Sequence, residues 1–185
     1  MAETTEPRTR IDDQDGETVT LRDGGRVFIR ALRPSDRDEL AERYLELSPQ
    51  ARRLRFFNAP EHLSTRLLDY LVDVDGVDRC ALVAFAIDDV GAPGVGIARY
   101  SRSREDPSCA EAAVTVLDGY HNRGIATALL LRLADQARRN GISTFTASVM
   151  WENRALLDGL RAFGAEVMPS EPGVASVRVP LPPSE

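Results

Sequence analysis

The chain has 185 residues, 43% hydrophobic and 28% charged, with a formal net charge of −6, which describes one soluble domain with a core of its own. Its 23 basic residues are all arginine, and the absence of lysine excludes a Walker-type phosphate loop and a pyridoxal phosphate Schiff base. Two histidines and two cysteines are too few to supply a structural zinc site or a well-placed Ser-His-Asp triad, so no metal is expected. The acidic balance argues against a nucleic-acid partner, and no apolar run is long enough to span a membrane. The start, MAETTEPRTRIDDQDGE, lacks a basic-then-apolar leader; a cytoplasmic protein with Cys80 and Cys109 reduced is the expectation.

Residues 1–17 are polar and unpatterned and read as a disordered tail before a single domain over 18–185. VTLR, a DGG turn and RVFIRAL form a strand–turn–strand signal with Val27 and Ile29 on one face. Ser35 opens a helix, with the S-x-x-D spacing to Asp38 resembling a capping box and Leu40, Ala41, Tyr44 and Leu45 on one side. RRLRFF follows as a short helical or irregular piece, and Ser64 caps a helix that turns Leu67, Leu68 and Leu71 inward. CALVAFAI, GVGIARYSRSR and CAEAAVTVL read as three strands. From Gly124, Ile125, Leu129, Leu133 and Ala137 recur at helical period up to Asn140-Gly141, a C-cap signal. STFTASVMW is a strand, ENRALLDGLRAF a helix stopped by Gly164, and VASVRVPL a final strand. The pattern predicts a mixed α/β (α+β) domain of about six or seven strands, mostly antiparallel, flanked by about four helices, with one strand–helix–strand unit over 110–150 that requires a crossover.

Between the strand ending at Leu117 and the helix opening at Gly124, unpaired backbone N–H groups would converge with the helix dipole behind them, an arrangement suited to phosphate. Gly124 offers no Cβ to block a ligand and Ala126 is small. Equally, a glycine here can serve only to ease a loop into a helix. A dinucleotide fingerprint is excluded, because only one glycine is present and no acidic residue ends the following strand.

HNRGIA resembles the R/Q-x-x-G-x-G/A acetyl-CoA loop of the GNAT superfamily of N-acetyltransferases, with His121 at the usual Arg/Gln place and Ala126 at the second glycine. AEAAVTVLDGYHNRG is similar to that family's fourth strand and loop, and Asn153 and Gly164 match its asparagine and the glycine of its GF ending. Within the family, LRDGGRVFIRALRPSD, LSPQARRLRFF and AEAAVTV resemble the catalytic domain of bacterial Pat-type protein lysine acetyltransferases; the length is not expected to leave room for the cyclic-nucleotide domain that some of these carry.

The resemblance implies acetyl transfer from acetyl-CoA to a primary amine, either a protein lysine or a small amine. It places Val114, Val116, His121, Asn122, Arg123, Gly124, Ile125, Ala126, Thr127 and Asn153 at acetyl-CoA. Asn153 alternatively serves only as a helix cap, and His121 and Arg123 alternatively face water. Glu111 is the candidate base: flanking apolar residues would partly bury it and strengthen it in that role, the plainer reading being a solvated or arginine-paired strand residue. Glu105 and Asp106 are weaker candidates in a neighbouring turn. A backbone N–H near Val116 is the implied oxyanion donor. Many GNAT enzymes have a tyrosine acid seven residues after the asparagine; here that position is Leu160, which motivates a second class of function, an acetyl-CoA-binding sensor without catalysis. Tyr120 is expected to pack beneath the cosubstrate, and Phe56 and Phe57 to anchor the core. Arg52, Arg53 and Arg55 either line an acceptor groove or form a solvated face. The acceptor's identity and the oligomeric state are left open.

Overall fold

The structure is a computed structural model that describes residues 16–57 and 60–181. The strands are Gly16–Thr20 (β1), Arg26–Ala31 (β2), Arg79–Ala86 (β3), Gly94–Arg102 (β4), Cys109–Val116 (β5), Thr144–Met150 (β6), Glu166–Pro169 (β7) and Val174–Pro180 (β8). The helices are Arg37–Glu46 (α1), Pro49–Phe56 (α2), Thr65–Val72 (α3), Ile125–Arg139 (α4) and Arg154–Ala162 (α5). All eight strands form one sheet in the order β1-β2-β3-β4-β5-β6-β8-β7. Every neighbouring pair is antiparallel except β5 with β6. That parallel pair is the one joined through a long helix, α4, as a parallel connection requires.

The sheet is covered on both faces. Ile125, Leu129, Leu133 and Ala137 of α4 are fully enclosed against Val27, Ala84, Ala98 and Ala110, the stripe that their spacing predicts. On the opposite face Leu40 of α1 and Val72 of α3 meet Phe28, Val83 and Phe85, and Phe56 of α2 meets Tyr44 and Leu117. A separate cluster at the β6–β8 end buries Leu157 of α5 against Val149, Ala175 and Val177. α4 stops where Asn140-Gly141 predicts: Gly141 has φ 77°, and Ile142 N–H reaches back to Ala137 O at 2.9 Å, which closes the last turn.

The sequence reading is corrected at several elements. β7 is an eighth strand and α2 a fifth helix. α2 starts at Pro49 with Ser48 Oγ accepting from Ala51 N–H at 3.1 Å, a Ser-Pro start that is legible in hindsight. Ser35 is not the cap of α1: a short 3₁₀ turn over Pro34–Asp36 precedes α1, and Asp36 rather than Asp38 accepts from Arg33 N–H at 2.8 Å. Ser64 does cap α3, accepting from Leu67 N–H at 3.2 Å. Leu45 is exposed at 49% rather than sharing the buried side of α1. The tail expected over residues 1–17 lies outside the described residues except for Gly16 and Glu17, which belong to β1.

Candidate active site

β5 and β6 pair only over Cys109–Glu111 with Thr144–Thr146. Beyond Glu111, β5 stays with β4 as far as Val116 while β6 stays with β8 as far as Met150, so a wedge opens between them. Leu117 N–H donates to Val95 O at 2.9 Å. Because antiparallel hydrogen bonding alternates, Ala113 and Thr115 turn their peptide groups to β4, and those of Val114 and Val116 face the wedge. Their side chains pack towards α4. These two backbone segments therefore present peptide donors and acceptors that no strand uses.

The wedge leads to the start of α4. Asn122 (φ 62°) and Gly124 (φ 93°) are both left-handed, a path that glycine takes without strain and asparagine tolerates. Ala128 N–H is the first to find a helical acceptor, Gly124 O at 2.9 Å, which leaves the N–H groups of Ile125, Ala126 and Thr127 pointing out of the helix. The Ile125 side chain is 1% exposed, so only its backbone can meet a ligand. His121 Nε2 donates to Val116 O at 2.9 Å; Nδ1 is then an acceptor in the neutral ring and would need a second proton to meet phosphate. Arg123 is held by Asp23 at 2.5 Å with its guanidinium 5.4 Å from the Tyr120 ring centre. It therefore latches the loop to the β1–β2 turn. Arg22 on that turn was missed in the sequence. Its Cγ lies 3.9 Å from where a Cβ on Gly124 would sit, which brings the β1–β2 turn against the helix start.

Glu111 sits where β5 and β6 part, and it is exposed, which corrects the expectation of partial burial. Its neighbours along one strand face are Ala113 and Thr115. Asn153 caps α5, accepting from Leu156 N–H at 3.4 Å, which leaves its amide NH₂ for a second partner. Leu160 is packed in the apolar cluster around Leu157. Tyr120 joins the packing beneath the loop, and its hydroxyl donates to Asp89 at 2.5 Å. Glu105 and Asp106 lie in the turn before β5, where Asp106 accepts from Ser108 N–H at 3.0 Å and Oγ at 2.6 Å. The Cys80 thiol is buried and pushed up to about 11 by that burial, which makes it inert. Among the described residues no cluster of three or more His, Cys, Asp or Glu could hold a metal.

A second concavity lies on the α1–α3 face, a cavity of about 80 Å³ lined mainly by apolar side chains, by Ala113 and Thr115 of the Glu111 strand face, and by Asp36, Glu39, Arg43, Arg55 and Arg99. The three arginines of α2 separate. Arg52 donates to Leu45 O at 2.7 Å and Leu47 O at 3.1 Å, Arg53 pairs with Glu152 at 3.4 Å, and Arg55 alone reaches the cavity. Burial first, and then the Arg99 charge, lower the Arg55 guanidinium from its ordinary value, with Glu111 pulling the other way. Phe56 packs in the core edge-on to Tyr44, whereas Phe57 is 42% exposed and ends α2 at φ 60°, so only the first is an anchor. Arg99 went unnoticed in the sequence; its signal was a charged residue two positions from Ile97 on a strand face that should be apolar.

The acetyltransferase (GNAT) family profile matches residues 37–164. The acetyltransferase PA5475 of Pseudomonas aeruginosa is 38% identical over 145 residues, 78% of this chain and 77% of that protein. The acetyltransferase Pat of Mycolicibacterium smegmatis is 29% identical over 165 residues, 89% of this chain but 49% of Pat, so the chain spans about half of that relative. Among solved structures, the GNAT domain of S. lividans PAT superposes with a TM-score of 0.82 at 30% identity, covering 90% of this chain and 97% of that one. A putative acetyltransferase from Salmonella typhimurium, solved with acetyl-CoA, shares the fold at a TM-score of 0.67 and 20% identity, covering 84% of this chain and 94% of that one. The wedge between β5 and β6, the loop into α4 and these likenesses agree: the chain belongs to the GNAT family of acetyltransferases.

Proposed function

We propose that this protein transfers the acetyl group of acetyl-CoA to a primary amine, and that the amine is a protein lysine side chain. The observation that carries the reading is the wedge that opens at Glu111, bordered by the Val114 peptide group and the Val116 N–H, which no strand uses, and ending at the bare N–H groups of α4. A pantetheine arm suits the first feature and a pyrophosphate the second. The lysine acceptor follows from the resemblance to Pat-type enzymes.

An alkylammonium, with a pKa of about 10.4, must lose a proton before it attacks. Glu111, open to solvent at the apex, takes that proton directly or through one water. The amine nitrogen then bonds to the thioester carbon, and the developing oxyanion meets the Val116 N–H. When the carbon–sulfur bond breaks, sulfur leaves as a thiolate and the new amide nitrogen gives up its extra proton to water. No tyrosine is needed at Leu160, since a thiol of pKa about 8.5 is a good leaving group and water can reprotonate it.

Thiol release from acetyl-CoA in the presence of lysine peptides tests the proposal. Glu111→Gln should lower kcat/KM about 10²–10³-fold while acetyl-CoA affinity, read by calorimetry, stays within about twofold. Tight acetyl-CoA binding with no acceptor-dependent thiol release would identify a sensor domain instead.

A further inference from the structure

The cavity on the α1–α3 face is lined by Arg99 and Arg55, and among the described residues neither forms an ion pair. Arg99 is 7% exposed; its Nη1 has one long bond to Leu71 O at 3.3 Å, and its Nη2 is buried with no hydrogen-bond partner. The Tyr70 ring centre lies 5.2 Å from the guanidinium carbon. A buried donor left unpaired is costly and rare, so its position calls for a partner. The cavity's own carboxylates are committed elsewhere: Asp36 to Arg30 at 2.7 and 2.9 Å, and Glu39 to Gly94 N–H at 2.9 Å and Arg43 at 3.9 Å. Arg55 lines the same cavity, and among the described residues the charge that favours its protonated form is Glu111.

Across the β4–β5 ladder Arg99 lies opposite Ala113, and Ser101 opposite Glu111. Arg99 and Glu111 are thus diagonal neighbours on one face, with backbones about 7–8 Å apart. Glu111, outside the cavity's lining but on the same strand face, attracts an ammonium, and Arg99 within the lining attracts an anion. We infer that the acetyl acceptor carries a carboxylate close in space to its reactive amine, and that Arg99, assisted by Arg55, receives it. This inference rests on the acetyltransferase reading above. A carboxylate would satisfy Nη2 and neutralise the buried charge, in a space larger than the about 10–15 Å³ that a single water needs. The carboxylate has two possible sources: the α-carboxylate of a free amino acid, or an acidic side chain next to a lysine in a protein.

Paired acceptors test the inference: amino acids against their carboxamides, and peptides with Glu beside Lys against Gln beside Lys. The anionic member of at least one pair should have a kcat/KM about tenfold or more above its neutral partner, the arm that responds naming the source. Arg99→Gln should abolish that preference through a raised KM for the anionic acceptor, and Arg99→Lys should restore part of it. Calorimetry with N-acetylglutamate, without acetyl-CoA, reads the anion site independently of turnover. Thiol release with no anionic preference in either arm overturns the inference and leaves the acetyltransferase reading intact. Arg99-dependent binding of N-acetylglutamate without thiol release from any acceptor sinks catalysis and keeps the anion site.

Discussion

Arg30 and Asp36 form a fork-to-fork ion pair at 2.7 and 2.9 Å, both side chains buried, with the guanidinium 4.5 Å from the Phe85 ring centre. Burial works to raise the Asp36 pKa, but hydrogen bonds from Arg30 and the Arg33 N–H prevail and hold it below the ordinary carboxylate value. A carboxyl depressed in the folded state contributes stability above its unfolded pKa of about 3.9 and loses it as pH falls through the folded value. Asp36→Asn leaves Arg30 buried without its charge partner, and should cost about 3–5 kcal/mol at neutral pH. Urea unfolding from pH 6 down to pH 3 should show the wild type losing stability more steeply below about pH 4 than the variant, so that the gap narrows. At this scale the legible residues were those with a motif around them. Glu111, Gly124 and Asn153 stand at fixed offsets on β5, before α4 and before α5, whereas Arg99 and Arg22 acquire meaning only through strand pairing and hairpin placement, which bring together segments far apart in the chain.

α4 and the long strands were readable because each buries a full face with a clear period: Ile125, Leu129 and Leu133 at helical spacing, and Cys80–Ala86 as an apolar run. β7 was not readable. It is an edge strand of four residues with Glu166 first and Pro169 last, too short and too polar to alternate, and it exists because β8 offers it a partner. Likewise the wedge has no sequence signal; it is a register event, in which β6 follows β8 instead of β5 after Glu111. It does make a prediction. In hydrogen exchange the Val114 and Val116 amides, unused by β4, should exchange faster than those of Ala113 and Thr115, and saturating acetyl-CoA should slow them at least tenfold if the wedge holds the pantetheine arm.

At the scale of the molecule, the same parting leaves one sheet supported by cores of unequal size. A large cluster lies under α4 and a small one under α5, joined along the sheet by the few paired residues at Cys109–Glu111. A donor lying in the gap would stand in for the missing rungs of the ladder, touching β5 and the start of α4 on one side and the Asn153 end of α5 on the other. Its binding would thereby belong to the folding equilibrium, since a ligand at a hundred times its Kd stabilises the native state by about 2.7 kcal/mol. The melting temperature should climb with the logarithm of acetyl-CoA concentration, and much less with a CoA fragment that lacks the pantetheine arm. If acetyl-CoA completes the sheet in this way, the fold is most rigid when charged with it, and the acetyl-CoA supply would then set how long the protein lasts as well as how fast it works.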